Sequence, residues 1–104
     1  MQTTITARHC EISDAIRERA LTVVERLGSI ATRPMEASVV FDTDGLQQTA
    51  ELRLHLATGD LLVAGGEAAD HRTALDRAAE KLRKQLEKAS ARPRRSRPSG
   101  VNPL

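Results

Sequence analysis

The side chains in this sequence that are best suited to chemistry are basic residues spaced three and four apart near the C-terminal end. At about 100° of rotation per residue in an α-helix, these residues fall roughly 180° to 240° around the helix from the apolar residue Leu75. A row of cations on one side of a helix is suited to phosphate groups along a groove, because such rows contact backbone charge rather than base edges. The row consists of Arg77, Lys81, Lys84 and Lys88.

The charge of the sequence is unevenly distributed. The whole chain carries 16 Lys and Arg residues against 14 Asp and Glu residues, for a formal net charge of +2. Positions 70–104 hold ten basic and four acidic residues, a net charge of +6, whereas positions 1–69 hold six basic and ten acidic residues, a net charge of −4. A basic C-terminal third is typical of proteins that bind a polyanion such as nucleic acid. On charge alone a solvated helix with a solubilising tail explains the pattern equally well, and the gathering of the cations into one row favours the polyanion.

Three further arginines lie in the first helical segment, where acidic neighbours dilute their charge. Arg17 and Arg26 flank the apolar side of this segment, and Arg19 belongs to the same segment. If both helices cover one face of a sheet, Arg17 and Arg26 could border the same groove as the C-terminal cations. Taken alone, these positions are explained better as ordinary surface arginines. We include Arg17 and Arg26 in the predicted RNA-binding surface, together with Arg92, which follows the second helical segment.

Residue types that support catalysis or metal binding are scattered. His9 and Cys10 are adjacent, and adjacent residues of an extended segment point to opposite sides, so they are poorly placed to act on one substrate. His55 and His71 have no partner at metal-ligand spacing, and a single cysteine excludes a cysteine-based zinc cluster. We predict no catalytic residue, metal, cofactor or small-molecule substrate. The alternatives are a small enzyme that uses one of these side chains and a protein-interaction module that uses an exposed strand face.

Composition limits the modes of binding further. Hydrophobic residues make up 39% of the sequence, and the aromatic content is 1%, a single Phe. Rows of stacking aromatics, which many RNA-binding domains use, are therefore excluded. The sequence has no basic segment followed by an apolar run at its start and no stretch near the ~18 apolar residues of a membrane span. We expect a cytoplasmic monomer that does not enter a membrane.

The spacing of apolar residues predicts six elements in the order β-α-β-β-β-α. Strict alternation of Leu52, Leu54 and Leu56 with polar residues gives the clearest strand. Strands with one apolar face imply a four-stranded sheet with both helices on that face, an α+β fold. The predicted strands cover residues 2–8, 36–43, 51–56 and 61–64, with a bulge at Gly65-Gly66, and the helices run from the N-cap Ser13 to a stop at Gly28 and from Asp70 to about Ala91.

The end of the sequence differs in composition from the rest. Pro93 ends the second helical pattern, and the residues that follow are mostly Pro, Ser, Gly and Arg, which cannot build a core. The sequence is therefore predicted to form one domain over residues 1–91, followed by a basic, disordered tail over residues 92–104.

Two stretches resemble a known family. Met1–Thr6 followed by Glu11–Arg17 resembles the start of the ribosome hibernation promoting factors, a family that includes the ribosome-associated inhibitor protein Y and was formerly described as sigma-factor modulation proteins. The stretch from Asp70 through Ala74-Leu75-Asp76 to Lys88 is similar to the second helix of that family. Together the resemblance covers about residues 1–91. The family usually has Met-Tyr where this sequence has His71 and Arg72.

The resemblance implies a fold like that of double-stranded-RNA-binding domains and binding to the small ribosomal subunit and its rRNA. The binding site implied is the channel that mRNA and tRNA occupy, so that initiation of translation is blocked during starvation or stress. By position, Lys81, Lys84 and Lys88 match basic residues on the second helix of the family, and Arg17 and Arg26 match basic residues on the first. A general double-stranded-RNA-binding or RNA-chaperone module is the alternative function.

Overall fold

The predicted order of elements is confirmed in a computed structural model, which describes residues 1–91, with side chains described up to residue 88. Two helices pack on one face of a four-stranded sheet, as expected for the α+β fold. The elements are β1 (Gln2–Ala7), α1 (Asp14–Ile30), β2 (Pro34–Asp44), β3 (Gln47–Leu56), β4 (Leu61–Ala68) and α2 (His71–Ala91).

The sheet has the order β1-β2-β3-β4, with β1 parallel to β2 and the other neighbours antiparallel. One row of paired residues crosses all four strands on the face that the helices cover. Because successive residues of a strand alternate between faces, this register turns the opposite face of the sheet toward solvent. The row consists of Ile5, Val39, Leu52 and Ala64.

The core lies between the sheet and the helices and is built from the predicted apolar positions. Phe41, the aromatic residue of the chain, is fully buried on β2. Leu52 and Leu54 reach the core from β3, and Leu75 and Leu82 reach it from α2. The direction in which α2 buries its side chains was therefore predicted correctly.

The first helix begins where predicted but ends later. Ser13 is the N-cap, and its side-chain oxygen accepts a hydrogen bond from the backbone N–H of Ile16 (3.2 Å). The predicted stop at Gly28 is wrong, because α1 continues to Ile30. A methyl group added at Gly28 would lie 2.9 Å from the terminal carbon of Met1, an exposed and flexible side chain that can move aside, so the structure gives no packing reason for glycine at this position.

The predicted bulge at Gly65-Gly66 is also wrong, since β4 runs regularly through both glycines to Ala68. The reason for glycine at position 66 is the packing of α2. A methyl group there would collide with the carbonyl oxygen of Ala74 and would lie 2.8 Å from the backbone nitrogen of Ala78. Helix α2 therefore rests directly on the backbone of β4.

The first turn of α2 is held by two residues with different roles. Asp70 caps the helix, because its carboxylate accepts hydrogen bonds from the backbone N–H (2.8 Å) and the hydroxyl (3.0 Å) of Thr73. These bonds, the backbone one above all, hold the pKa of Asp70 below its usual value. His71 donates from Nε2 to the carbonyl oxygen of Asp42 (3.0 Å), and its ring packs edge-on against Phe41 with 5.5 Å between ring centres. His71 thus joins the helix to β2.

Replacing Gly66 with Ala should destabilise the fold by about 1–3 kcal/mol, the usual cost of overpacking, because α2 must move away from β4. Thermal or urea unfolding measures the change. Gly65→Ala is the matched control, because a methyl group there meets only the carbonyl oxygen of Ala50 at 3.8 Å. Equal midpoints of unfolding for the two variants would contradict the close contact at Gly66.

Candidate nucleic-acid interface

The predicted row of cations is present on the solvent side of α2. All four side chains are exposed, and they span twelve residues, or about 16 Å of helix at a rise of 1.5 Å per residue. The fully buried residues of α2 lie on the opposite side, against the sheet. The row therefore has the place on the helix that the spacing of Arg77, Lys81, Lys84 and Lys88 predicted.

The structure divides this row in a way that the sequence did not predict. Strand β4 lies at the edge of the sheet, so the carbonyl groups that face away from β3 have no strand partner. Three side chains of α2, each four residues from the next, donate hydrogen bonds to these carbonyls. We call Arg77, Lys81 and Gln85 the edge row; the bonds run from Arg77 Nη1 to Glu67 O (2.6 Å), from Lys81 Nζ to Gly65 O (2.9 Å) and from Gln85 Nε2 to Val63 O (3.0 Å).

The other two cations of the row make no hydrogen bond to β4 among the described side chains, and we call Lys84 and Lys88 the crest pair. The ammonium group of Lys84 lies 3.9 Å from the carboxylate of Glu80, four residues earlier on the same face of the helix. Lys88 has no acidic partner within the side chains that the structure describes. Exposed contacts of this length contribute little, so the crest pair keeps its positive charge toward solvent.

The acidic residues of α2 face α1, where they hold arginines. Asp76 accepts a hydrogen bond from Nε of Arg19 on α1 (3.1 Å), and Nη2 of the same guanidinium group lies 3.0 Å from the same carboxylate oxygen. Arg83 lies 3.5 Å from the carboxylates of both Glu80 and Glu87. These pairs explain why acidic side chains accompany a basic helix, since they position guanidinium groups along the boundary between the two helices.

A groove of about 330 Å³ lies along this boundary, and we call it the interhelical groove. Apolar side chains from both helices line it, and charged side chains from both helices surround them. The apolar residues are Val23, Leu27 and Ala79, and the charged residues are Arg19, Arg26, Arg83, Asp76 and Glu80.

The structure does not bring all the predicted RNA-binding arginines together. Arg26 lines the interhelical groove, but Arg17 does not. Nine residues separate them, so they lie about 180° apart around α1, and the expectation that both border one groove is wrong for Arg17. Arg19 lines the groove instead. Arg92 and the predicted tail lie outside the described residues.

The histidines and the cysteine occupy separate places. His9 donates to the carboxylate of Asp42 (3.2 Å), and hydrogen bonds from the backbone of Thr43 and from His9 hold the pKa of Asp42 below its usual value. His55 pairs with Glu36 at 3.8 Å on the uncovered face of the sheet. Within residues 1–88, no three His, Cys, Asp or Glu side chains are grouped so that they could hold a metal ion. Across residues 1–91, neither helix has the length and apolar character needed to cross a lipid bilayer.

Comparison with known proteins gives related sequences. The sequence model of the family described as Sigma 54 modulation protein / S30EA ribosomal protein matches residues 3–94. A ribosome hibernation promoting factor of Pseudomonas putida is 32% identical over 88 residues, covering 85% of each chain. A ribosome hibernation promotion factor of Rhizobium meliloti is 30% identical over 90 residues, covering 83% of this chain. The present chain spans about half the length of that relative, since the match covers 46% of it.

Solved structures share the fold. The N-terminal domain of Thermus thermophilus Protein Y superposes with a TM-score of 0.73 and 31% identity, covering 86% of this chain and 99% of that domain. A ribosomal subunit interface protein of Coxiella burnetii superposes with a TM-score of 0.77, covering 88% of this chain and 100% of that one. Its sequence identity is 23%, so this second likeness concerns the fold alone.

Removing the edge row should expose the outer edge of β4 to pairing with another chain. The variant Arg77→Ala, Lys81→Ala, Gln85→Ala is expected to self-associate as its concentration rises, because unprotected strand edges template new pairing. Sedimentation velocity measures the association. The control Lys84→Ala, Lys88→Ala also loses two positive charges but keeps the edge of β4 covered. Equal self-association of the two variants would show that the edge row does not protect β4.

Proposed function

This chain belongs to the family described as Sigma 54 modulation protein / S30EA ribosomal protein, and we propose that it is a ribosome hibernation factor that binds the small ribosomal subunit at the mRNA/tRNA channel. The resemblance seen in the sequence is thereby confirmed at the level of the family, whose members act on ribosomes by binding and not as enzymes. Bound in the channel under starvation or stress, the chain blocks initiation by occupying the space that mRNA and tRNA need.

The observation that carries this proposal is the row of exposed cations on α2. Arg77, Lys81 and Lys88 have no acidic partner among the described side chains, so their charge is available to a polyanion. The exposed ammonium and guanidinium groups are suited to the phosphates of rRNA, and this row supplies affinity without reading sequence.

The hydrogen bonds of the edge row to β4 favour phosphate binding by two of these cations, Arg77 and Lys81. Each uses a hydrogen bond to a β4 carbonyl to fix its position and retains further donors, since an ammonium group has three and a guanidinium group five. A side chain that is already fixed loses less conformational entropy on binding. Arg77 and Lys81 therefore present donors to phosphates at a separation set by the helix, about 6 Å along its axis.

The mode of action follows from occupancy alone. The chain excludes mRNA and tRNA in proportion to the fraction of subunits it occupies, which depends on its concentration relative to its dissociation constant. The proposal places residues 1–91 on the ribosome as a single domain in the cytoplasm, acting as a monomer. Arg92 and the basic residues that follow it add attraction toward rRNA.

The variant Lys81→Glu, Lys84→Glu, Lys88→Glu should lose co-sedimentation with small ribosomal subunits, because three attractive contacts with phosphates become repulsive. Its fold should persist, since these side chains face away from the core and Arg77 and Gln85 still cover the edge of β4. The control Arg8→Glu, Arg33→Glu, Arg53→Glu changes the net charge equally at exposed positions away from α2 and should still bind. Binding by the α2 variant, with thermal unfolding showing that both variants are folded, would refute the proposed site.

The affinity of the native chain for small subunits should fall with salt. Contact with about four to six phosphates gives a slope of roughly −3 to −5 in log affinity against log salt concentration. Replacing Lys81, Lys84 and Lys88 with Gln should make that slope shallower by about 2 to 3. Each phosphate that loses its lysine keeps its condensed counterion, so fewer counterions are released on binding. Fluorescence anisotropy over a salt series measures both slopes. A competing free RNA duplex that displaces the chain from subunits at equal concentration would favour the general RNA-binding module instead.

A further inference from the structure

The interhelical groove has the chemistry of a site for a single unpaired nucleobase, and we propose that it binds one base of the RNA on which the chain sits. This inference rests on the proposed function, because it assumes that the helical face meets rRNA. It adds recognition of an extruded base to the phosphate contacts of α2, and it concerns residues outside the predicted row of cations.

Stacking at the interhelical groove must use guanidinium groups. Phe41 is fully buried, and the exposed imidazole rings of His9 and His55 do not line this groove. Unpaired bases also stack on the planes of Arg side chains. The interhelical groove is where guanidinium groups from both helices converge, namely those of Arg19, Arg26 and Arg83.

One of these guanidinium groups is held in place before any ligand binds. Two of the nitrogens of Arg19 lie 3.1 and 3.0 Å from one carboxylate oxygen of Asp76, which fixes the position of the group between α1 and α2. The side chain of Arg19 remains 35% exposed and lines the groove. A planar group fixed at the wall of an apolar groove is suited to a flat heterocycle, because little order is lost when the base arrives.

The rest of the groove matches the other parts of a nucleotide. Val23 and Leu27 give the groove an apolar lining for the flat faces of the base, and Ala79 is small enough to leave the space open. The carboxylate of Glu80 borders the groove and can accept a hydrogen bond from an N–H group on the edge of a base. Arg26 has no acidic partner among the described side chains and can contact the phosphate of the same nucleotide.

The charges favour a nucleotide over an apolar anchor from a protein. A protein side chain such as Leu would fill the apolar lining but would offer no negative charge to Arg26, which has no acidic partner among the described side chains. The crest pair also lies on the outward side of α2, so an RNA strand that follows α2 can reach both surfaces.

Three RNA hairpins of equal length test the inference with the full chain. The first carries one bulged purine, the second carries an abasic bulge with the same phosphates, and the third is fully paired. Stacking of one base contributes about 1–3 kcal/mol. We therefore expect the chain to bind the bulged purine about tenfold more tightly than the abasic bulge, measured by fluorescence anisotropy at fixed salt.

Two variants separate the groove from the row of cations. Ala79→Leu fills the groove without changing charge, and it should bind all three hairpins equally while keeping the salt dependence of the native chain. Ala57→Leu, at an exposed position in the turn between β3 and β4, is its control and should keep the preference. Arg26→Gln should reduce the preference several-fold, whereas Arg17→Gln, on the opposite side of the same helix, should not. The Arg26 variant keeps the test decisive if Ala79→Leu proves unstable.

Equal affinity of the native chain for the bulged purine and the abasic bulge would overturn the inference, and salt-dependent binding to all hairpins would leave the proposed function standing. An undiminished preference in Ala79→Leu would place the base elsewhere and overturn it too. Weaker ribosome binding by Ala79→Leu, with no preference among hairpins in the native chain, would indicate a protein anchor in the groove. Absence of binding to any hairpin would overturn the inference, whereas only loss of co-sedimentation with small ribosomal subunits would contradict the proposed function.

Discussion

The close contact between α2 and the backbone of β4 at Gly66 is the constraint on which the rest of the structure depends. Because no side chain intervenes there, the helix lies near enough to the sheet for long side chains of α2 to reach the outer carbonyls of β4. His71 secures the start of the same helix against β2. With the helix fixed at both places, its apolar side enters the core and its cations stand on the outside.

The same contact gives the basic helix two kinds of cation. Arg77 and Lys81 cover the edge of the sheet and keep their charge, so one set of side chains protects β4 from pairing and supplies fixed positive groups. Lys84 makes only an exposed contact with Glu80, and Lys88 has no acidic partner among the described side chains. On the other side of α2, Asp76 holds Arg19 in place, so the acidic residues organise the basic surface instead of cancelling it.

The spacing of apolar residues was sufficient to predict the order of the elements and the buried side of α2. Both depend only on the pattern of apolar and polar residues within one segment of the chain. The local pattern failed at Gly28 and at Gly66, where glycine was taken as a local break in a helix or strand. At Gly66 the reason for glycine is a neighbour distant in sequence, the backbone of α2, whereas α1 simply continues through Gly28. Such close approaches depend on tertiary packing, which local patterns do not contain.

For the candidate site, too, the sequence predicted what depends on spacing within one element and missed what depends on contacts between elements. The side of α2 that carries the cations follows from their spacing, but their bonds to β4 depend on how near the strand lies. The separation of Arg17 from Arg26 follows from counting residues around α1, and it was missed because both flank the apolar side. The place of Arg19 opposite Asp76 required the packing of one helix against the other.

The central claim is that the cations of α2 rest on the RNA of the small ribosomal subunit. Electron cryomicroscopy of the full chain bound to small subunits tests it most directly. The account predicts that α2 faces rRNA in the mRNA/tRNA channel, with the side-chain nitrogens of Lys84 and Lys88 within hydrogen-bonding distance of phosphate oxygens. A bound chain whose uncovered sheet face meets the RNA, with α2 turned to solvent, would contradict it.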